Sequence, residues 1–226
     1  MKNPRLILVG SIALLILVIY CAYASDLPKW FPFKQQSSLE EWQEKIFKGK
    51  VLYEIKAEHS KENFLSASSN KACSGLLYRI KFDVKEFPMF SWEWKVSQFP
   101  AKKIVTDEST GWMERDDYAA RVYVIFSSWN FMNIKSLEYI WDESVPVGTV
   151  KTSPYMDNIK MIVTESGAGN LNKWAKEERN IFEDYKKVFG ANPPRYVGAI
   201  AIMTDSDNTL STAEAAYQNL KVGYKQ

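Results

Sequence analysis

Hydrophobic and polar residues alternate with a period of two along most of the chain beyond residue 50. β-Branched and aromatic side chains fill the apolar positions, and turn-forming residues separate the segments. This alternation is typical of strands that bury one face and expose the other. The pattern predicts nine strands, at residues 51–57, 64–68, 75–82, 89–96, 118–126, 137–141, 159–164, 197–203 and 215–224.

Residues 37–47 break this alternation and have helical spacing instead. Ser38 and Glu41 stand three residues apart, as in a capping box at the N-terminus of a helix. Trp42 and Ile46 are four residues apart, which would place them on one helical face. We therefore predict a short helix in this segment.

Residues 177–194 also predict a helix. Ile181 and Tyr185 begin an apolar stripe that continues to Phe189, and Gly190 is suited to the C-cap. Two prolines then stop the helix. We expect the stripe to cover an edge or an end of the molecule, because it cannot be left in water.

Many short strands with one or two short helices define a fold class. They predict an all-β fold in which two antiparallel sheets pack as a β-sandwich. A jelly roll is the commonest form at this size. No linker or internal repeat divides residues 25–226, so we predict one domain over that range.

The N-terminus has the pattern of a secretory signal peptide over residues 1–24. Lys2 and Arg5 precede a fifteen-residue apolar run, and a small–x–small sequence, AYA, closes the segment. We predict cleavage there and a periplasmic or secreted location in a bacterium. The alternative is an uncleaved inner-membrane anchor, because the nineteen uncharged residues 6–24 approach the length that spans a bilayer.

Charge and cysteine content exclude some functions. Cleavage would remove two of the 29 basic residues and none of the 27 acidic ones, so the charges would balance. A nucleic-acid partner is not expected, because such partners select a basic surface. A membrane contact is expected only through the N-terminal segment, if it is not cleaved.

Cys73 would be the one cysteine left after cleavage, so we expect no intramolecular disulfide and a buried thiol.

The sequence patterns of nucleophilic catalysis are absent. The single histidine, His59, stands in a charged turn, so a Ser-His-Asp triad is not expected. No G-x-S-x-G, HExxH or paired C-x-x-C motif occurs, and no phosphate-binding glycine loop does. Glycoside hydrolysis needs two carboxylates, and the candidates are Glu93 with Asp117 or Asp205. We assign no catalytic residue and no cofactor from the sequence.

The strand at residues 89–96 has two tryptophans on one face. Trp92 and Trp94 share this face with Val96, which favours a position in the core. Stacking on sugar rings is the alternative role for the pair. Glu93 lies on the opposite face, either exposed or on the floor of a ligand site.

Arg121 stands in the middle of an apolar strand. The alternation places it with Tyr123 on the face opposite the core. A buried arginine needs a carboxylate partner, and Asp117 and Glu93 are the first candidates. The pair would be either structural or part of a ligand groove, bordered by Asp116 and Asp117 at the strand entrance.

Asp205, Asp207 and Asn208 form an acidic cluster directly after an apolar strand. The cluster is not an EF-hand, because Gly and Glu are missing from positions six and twelve of that loop. An Asx-rich turn is the favoured interpretation, and a calcium site is the alternative. We expect the cluster to lie beside the turn at residues 116–117, with an arginine or a cation between the two sets of charges.

Several stretches of the chain resemble a known family when they are taken in order. FSWEWKV, RDDYAARVYVIF, LEYIWD, ERNIFEDYKKVFG and AIAIMTDSDNT are similar to the secreted bacterial family called domain of unknown function 3047, over roughly residues 30–222. The resemblance implies a jelly-roll β-sandwich akin to galactose-binding-like and other carbohydrate-binding modules, and it implies no reaction. The characteristic positions of the family fall on Trp92, Trp94, Asp116, Asp117, Arg121, Trp141, Arg179, Asp184, Asp205, Asp207 and Asn208.

Together these observations predict an exported binding protein that recognises a glycan or a cell-envelope polysaccharide without catalysis. We expect the site on a sheet face that carries Glu93, Arg121 and Tyr123 together, bordered by the loops at residues 116–117 and 205–208. The predicted ligand-binding residues are Trp92, Glu93, Trp94, Asp116, Asp117, Arg121, Tyr123 and Trp141. The predicted metal ligands are Asp205, Asp207 and Asn208. A glycan-cleaving hydrolase and a structural envelope protein are the alternatives.

Overall fold

The computed structural model describes residues 27–57, 63–102, 116–129 and 133–224; the predicted signal peptide and His59 lie outside these ranges. The strands are β1 (Lys29–Phe31), β2 (Gln43–Lys48), β3 (Leu52–Lys56), β4 (Phe64–Asn70), β5 (Cys73–Asp83), β6 (Met89–Gln98), β7 (Ala120–Phe126), β8 (Ser136–Asp142), β9 (Val150–Thr152), β10 (Ile159–Ser166), β11 (Ala175–Asn180), β12 (Tyr196–Asp205) and β13 (Thr212–Gly223). A 3₁₀ helix covers Gln36–Glu41, and an α-helix, α1, covers Ile181–Phe189. Within the described ranges, no helix is long and apolar enough to cross a membrane.

The strands form two sheets that pack face to face, so the predicted β-sandwich is confirmed. The six-stranded sheet has the order β11-β6-β13-β4-β3, and β1 pairs with the second half of β13. The seven-stranded sheet has the order β2-β5-β12-β7-β8-β10-β9. Pairing is antiparallel except between β8 and β10, which run parallel. This exception arises because β10 returns from the edge strand β9 and inserts between β9 and β8.

All nine predicted strands are present, and four further strands were missed. β1 and β9 have only three residues each, too few to show alternation. β2 and β11 are edge strands of mainly polar residues. Pairing with a neighbour supplies their structure, and their own pattern of side chains does not reveal it.

The helix predicted at residues 37–47 is largely wrong. The helical turn there is a 3₁₀ helix that ends at Glu41, and residues 43–48 pair with β5 as an edge strand. Trp42 is buried in the core, whereas Ile46 is 49% exposed. The two side chains therefore do not share a helical face. Hydrogen bonds to β5 override the weak helical spacing of this segment.

Helix α1 is confirmed, together with its role as a cover. Gly190 ends the helix in the left-handed conformation, with φ of 67°. Ile181 and Tyr185 are buried in the main core, and the Tyr185 ring meets Phe126 with centroids 4.6 Å apart. Beside the helix, Arg179 donates two hydrogen bonds to Asp184, so this pair of family positions fastens the helix to β11.

Tryptophans fill the space between the two sheets. Trp92 and Trp94 on β6 and Trp141 on β8 are all fully buried. Trp92 packs on Tyr139 at 5.0 Å between ring centroids, and Trp94 packs on Trp141 at 6.1 Å. The core interpretation of Trp92 and Trp94 is confirmed. The three indole rings are covered by protein in this structure, so their assignment to a sugar-stacking surface is corrected.

Candidate functional site

The predicted ligand residues divide between the two outer faces of the sandwich. Glu93 lies on β6 in the six-stranded sheet, whereas Arg121 and Tyr123 lie on β7 in the seven-stranded sheet. The expectation that the three share one face is therefore wrong. Alternation shows that a side chain points away from the core, but it does not show which of the two sheets carries it.

On the seven-stranded sheet, Arg121 is the centre of a buried charge cluster that also contains Asp116, Glu138 and Asp205. Its Nε and one terminal nitrogen donate to the two carboxylate oxygens of Asp205, at 3.0 and 2.7 Å. The other terminal nitrogen donates to Glu138 Oε1 at 2.8 Å and to the Tyr123 hydroxyl at 3.4 Å. The carbonyl oxygen of Asp116 accepts the remaining N–H. All five guanidinium donors therefore have an acceptor.

These contacts test the expected partners of Arg121. The side chain is 3% exposed and bonded to carboxylates, as expected. The named candidates, Asp117 and Glu93, are not the partners. The partners are Asp205, at the end of β12, and Glu138, which stands between apolar residues in the middle of β8 and faces away from the core. That position is the same signal that singled out Arg121, and it could have identified Glu138 from the sequence.

Asp117 joins the two acidic loops. Its carboxylate accepts the backbone N–H of Asn208 at 3.2 Å and that of Thr209 at 2.6 Å. The Asp205 carboxylate in turn accepts the backbone N–H of Tyr118 at 2.8 Å. The expectation that the loops at residues 116–117 and 205–208 lie side by side is confirmed, and Arg121 fills the space between their charges.

A small cavity of about 30 Å³ lies over the charge cluster. Phe47, Ser153, Tyr155 and Ile159 line it together with the charged side chains. A space of this size holds about one water molecule and cannot hold a sugar ring. The face that the sequence assigned to the ligand is thus closed at Arg121.

Burial and charge together shift the pKa values of the side chains in the cluster. Burial raises the pKa of Asp116 to about 7, although the Arg121 charge opposes this rise. Burial also raises the pKa of Glu138, again against Arg121. Burial alone would lower the pKa of Arg121, but Asp205 and the other carboxylates outweigh it and raise that pKa. Arg121 therefore stays charged, and Asp116 exchanges its proton near neutral pH.

The acidic loop has limited freedom to bind a metal. One oxygen each of Asp205 and Asp207 and the thiol sulfur of Cys73 lie within 4.8 Å of one another. Both oxygens of Asp205 already accept hydrogen bonds from Arg121. The Lys48 ammonium lies 3.6 Å from Asp207 Oδ2, and the Asn208 amide donates to the Tyr155 hydroxyl at 2.9 Å. These contacts favour the structural turn over a calcium site.

The six-stranded sheet carries an open groove of about 870 Å³ on its outer face, here called the outer groove. Strands β1, β6, β11 and β13 form it. Two exposed aromatic residues, Trp30 and Tyr224, line it and are 41% and 57% exposed. Its polar lining consists of Lys29, Ser91, Glu93, Lys176, Glu178, Asn219 and Lys221.

A β-bulge in β13 adds a side chain to this lining. Gln218 pairs with Glu93 and Lys221 pairs with Ser91, so β13 has one residue more than β6 over this interval. Asn219 takes the left-handed conformation, with φ of 55°, while Leu220 stays fully buried. Asparagine tolerates this conformation better than most residues. The bulge thereby adds an amide to the groove without breaking the core.

Of the predicted ligand residues, only Glu93 contributes a side chain to the polar lining of the outer groove. Its Oε2 accepts a hydrogen bond from Gln218 at 2.7 Å. Trp30, Tyr224, Lys176, Glu178, Asn219 and Lys221 were missed. Trp30 lies on β1, and Lys176 and Glu178 lie on β11, and neither strand shows clear alternation in the sequence. Asn219 enters the groove through a bulge that is visible only in the pairing of β13 with β6.

The fold is a β-sandwich of two sheets, with the outer groove on the six-stranded sheet. Residues 40–221 match the family described as "Protein of unknown function (DUF3047)", and the chain belongs to this family. No curated protein matches the sequence.

Solved structures with a similar arrangement include a phage tailspike protein, a carbohydrate-binding module and an endoglucanase. Tailspike protein 4 of bacteriophage CBA120 matches with a TM-score of 0.43 and 10% identity, over 83% of this chain and 20% of that one. The family 30 carbohydrate-binding module of a Clostridium thermocellum cellulosomal cellulase gives 0.47 and 7%, over 82% and 92%. Endoglucanase Cel12A from Rhodothermus marinus gives 0.45 and 10%, over 82% and 96%. At these TM-scores the matches support no inference about a ligand.

Replacing Arg121 tests the buried charge cluster. We expect Arg121→Ala to lower the free energy of unfolding by about 3–5 kcal/mol, because it leaves buried carboxylates without their partner. Urea denaturation measures the change. Arg195→Ala, which removes a surface arginine bonded to Asp83, is the control and should change stability little. An Arg121→Ala variant as stable as the original would contradict the assigned role.

The titration of Asp116 predicts an unusual pH dependence. Its pKa is about 7 in the folded state and about 3.9 in an unfolded chain, so the folded state binds more protons between these values. The contribution of Asp116 to stability is complete below about pH 4 and is lost as pH rises through about 7. We expect Asp116→Asn to flatten the decline in melting temperature over this range. An unchanged pH profile in the variant would refute this account.

Calcium should leave the melting temperature unchanged at millimolar concentration. The reason is that Arg121 and Lys48 already neutralise the oxygens of Asp205 and Asp207. Differential scanning fluorimetry with calcium and with a chelator measures this directly. A calcium-dependent rise would instead indicate a bound hard cation, since a ligand of the folded state stabilises it by mass action.

Proposed function

We propose that the protein binds a glycan through the outer groove without cleaving it. The observation that carries the proposal is the groove of about 870 Å³, in which Trp30 and Tyr224 stand beside a polar lining. Its volume lies within the range of small-molecule binding sites. With the predicted signal peptide, the glycan would belong to the cell envelope or its surroundings.

The lining of the groove suits a sugar chain. Trp30 and Tyr224 supply flat apolar faces on which the C–H faces of a pyranose can stack. Ser91 and Asn219 supply neutral hydrogen-bonding groups, and Glu93 supplies an acceptor. A sugar presents both C–H and hydroxyl surfaces, so it can use both kinds of contact at once.

The carboxylate pairs that the sequence suggested for a glycosidase do not support hydrolysis. Those pairs were Glu93 with Asp117 or with Asp205. Glu93 lies on β6 of the six-stranded sheet, whereas Asp205 ends β12 of the seven-stranded sheet and Asp117, in the loop before β7, bonds the loop that follows β12. They cannot flank one glycosidic bond. Asp116 and Glu138, whose pKa values are raised, line a cavity of about 30 Å³ that admits no sugar.

A glycan array probed with the purified protein tests the proposal. We expect Trp30→Ala to weaken binding of the strongest hit by about tenfold or more, since a buried aromatic contact of this kind typically dominates an interface. Trp129→Ala is the matched control, because Trp129 is 90% exposed and lies outside the groove. Product analysis of the bound glycan should show no cleavage.

An array without hits would favour the structural envelope role. Equal loss of binding in the Trp30 and Trp129 variants would show that the glycan binds elsewhere. Cleaved products would favour the hydrolase.

A further inference from the structure

The outer groove carries fixed charges of both signs in a regular order. Across the strands, one row runs Lys176, Glu93, Gln218, and the next runs Glu178, Ser91, Lys221. A positive residue therefore opens one row and a negative residue opens the other. The remaining lysine of the lining, Lys29, places its ammonium 5.2 Å from the Tyr78 ring centroid, away from these rows.

The charged side chains of the two rows do not form ion pairs with one another. Within the described ranges, Lys176, Glu178 and Lys221 form no ion pair closer than 4.0 Å. Lys221 lies 5.6 Å from the Trp30 ring centroid, at the aromatic side of the groove. Lys176, Glu178 and Lys221 are exposed, and the half-buried Glu93 accepts its one side-chain hydrogen bond from the neutral amide of Gln218. A bound ligand could therefore meet all four charged groups.

The spacing of the rows places any ligand bound in the groove close to both positive and negative side chains. Neighbouring strands are about 4.8 Å apart, and residues two apart on a strand are separated by about 7 Å. A chain lying in the groove would pass within reach of Glu93 and Glu178 whenever it reached Lys176 or Lys221.

We infer that the outer groove takes an uncharged glycan and that Glu93 and Glu178 act against chains bearing uronates or phosphates. The inference rests on the proposed function and narrows its ligand class. Neutral hydroxyls donate to carboxylates and accept from ammonium groups, so an uncharged glycan satisfies all four charges. A polyanion that pairs with the lysines brings further negative charges next to the two glutamates.

Like charges placed together at an interface suppress the wrong partner. The glutamates therefore determine specificity more than they add affinity. Residues 25–226 contain 27 basic and 27 acidic residues, so their net charge gives a polyanion no long-range attraction to this range.

The test compares two probes that differ only in charge. One is the neutral oligosaccharide that binds best in the array, and the other is the same oligosaccharide oxidised at its primary hydroxyls to uronates. We expect the protein to bind the neutral probe at least about tenfold more tightly, measured by isothermal titration calorimetry. The double variant Glu93→Gln, Glu178→Gln should reduce this ratio to about threefold or less, or reverse it.

In that variant, binding of the oxidised probe should weaken as salt is added, because lysines alone would then hold it. Glu214→Gln is the matched control, since Glu214 is an exposed glutamate of β13 outside the groove. It should leave the ratio unchanged. Equal melting temperatures of the three proteins would show that the isosteric changes leave the fold intact.

Two failures can be told apart. If the protein binds the oxidised probe as tightly as the neutral one, or if the double variant keeps the original ratio, the charge inference is wrong. The proposed function would still hold if Trp30→Ala lost binding. If Trp30→Ala bound both probes normally, or if the array gave no hit, the proposed function would fail and the inference with it.

Discussion

The organisation of the seven-stranded sheet depends on one buried guanidinium. Arg121 connects β7 to Glu138 on β8 and to Asp205 at the end of β12. Burying such a charge is costly unless every donor finds an acceptor, and here all five donors do. The same contacts hold the loop after β12 against the strand entrance at Asp116. An otherwise apolar face therefore closes over a cavity that is too small for a ligand.

The two outer faces therefore differ in how much room they offer a ligand. The face with Arg121 is a second, smaller core, in which charge and apolar packing replace solvent. The opposite face, on the six-stranded sheet, remains open and presents aromatic and charged side chains to solvent. Between the sheets, Trp92, Trp94 and Trp141 form a buried layer that separates the charge cluster from the outer groove. The carboxylates with raised pKa values, Asp116 and Glu138, are thus remote from the groove that is open to a ligand.

The outer groove depends on irregular pairing. β1 pairs with only three residues of β13, and the bulge at Asn219 lies immediately before them. One extra residue rotates local side chains while Leu220 keeps its place in the core. A regular strand would have kept the alternation and presented one polar side chain fewer. The candidate site thus occupies the place where the sheet departs most from the simple pattern.

The sequence by itself determined the nine alternating strands, the helix at Ile181, the core position of the tryptophans and the need of Arg121 for a carboxylate. These follow from local chemistry, because burial of an apolar face and pairing of a buried charge are required in any fold. Only the tertiary structure decided that Glu93 and Arg121 lie on different sheets, that Glu138 and Asp205 are the partners, and that residues 43–48 form a strand. Sheet membership is set by hydrogen bonds between segments far apart in the chain, and a period of two is the same on either sheet.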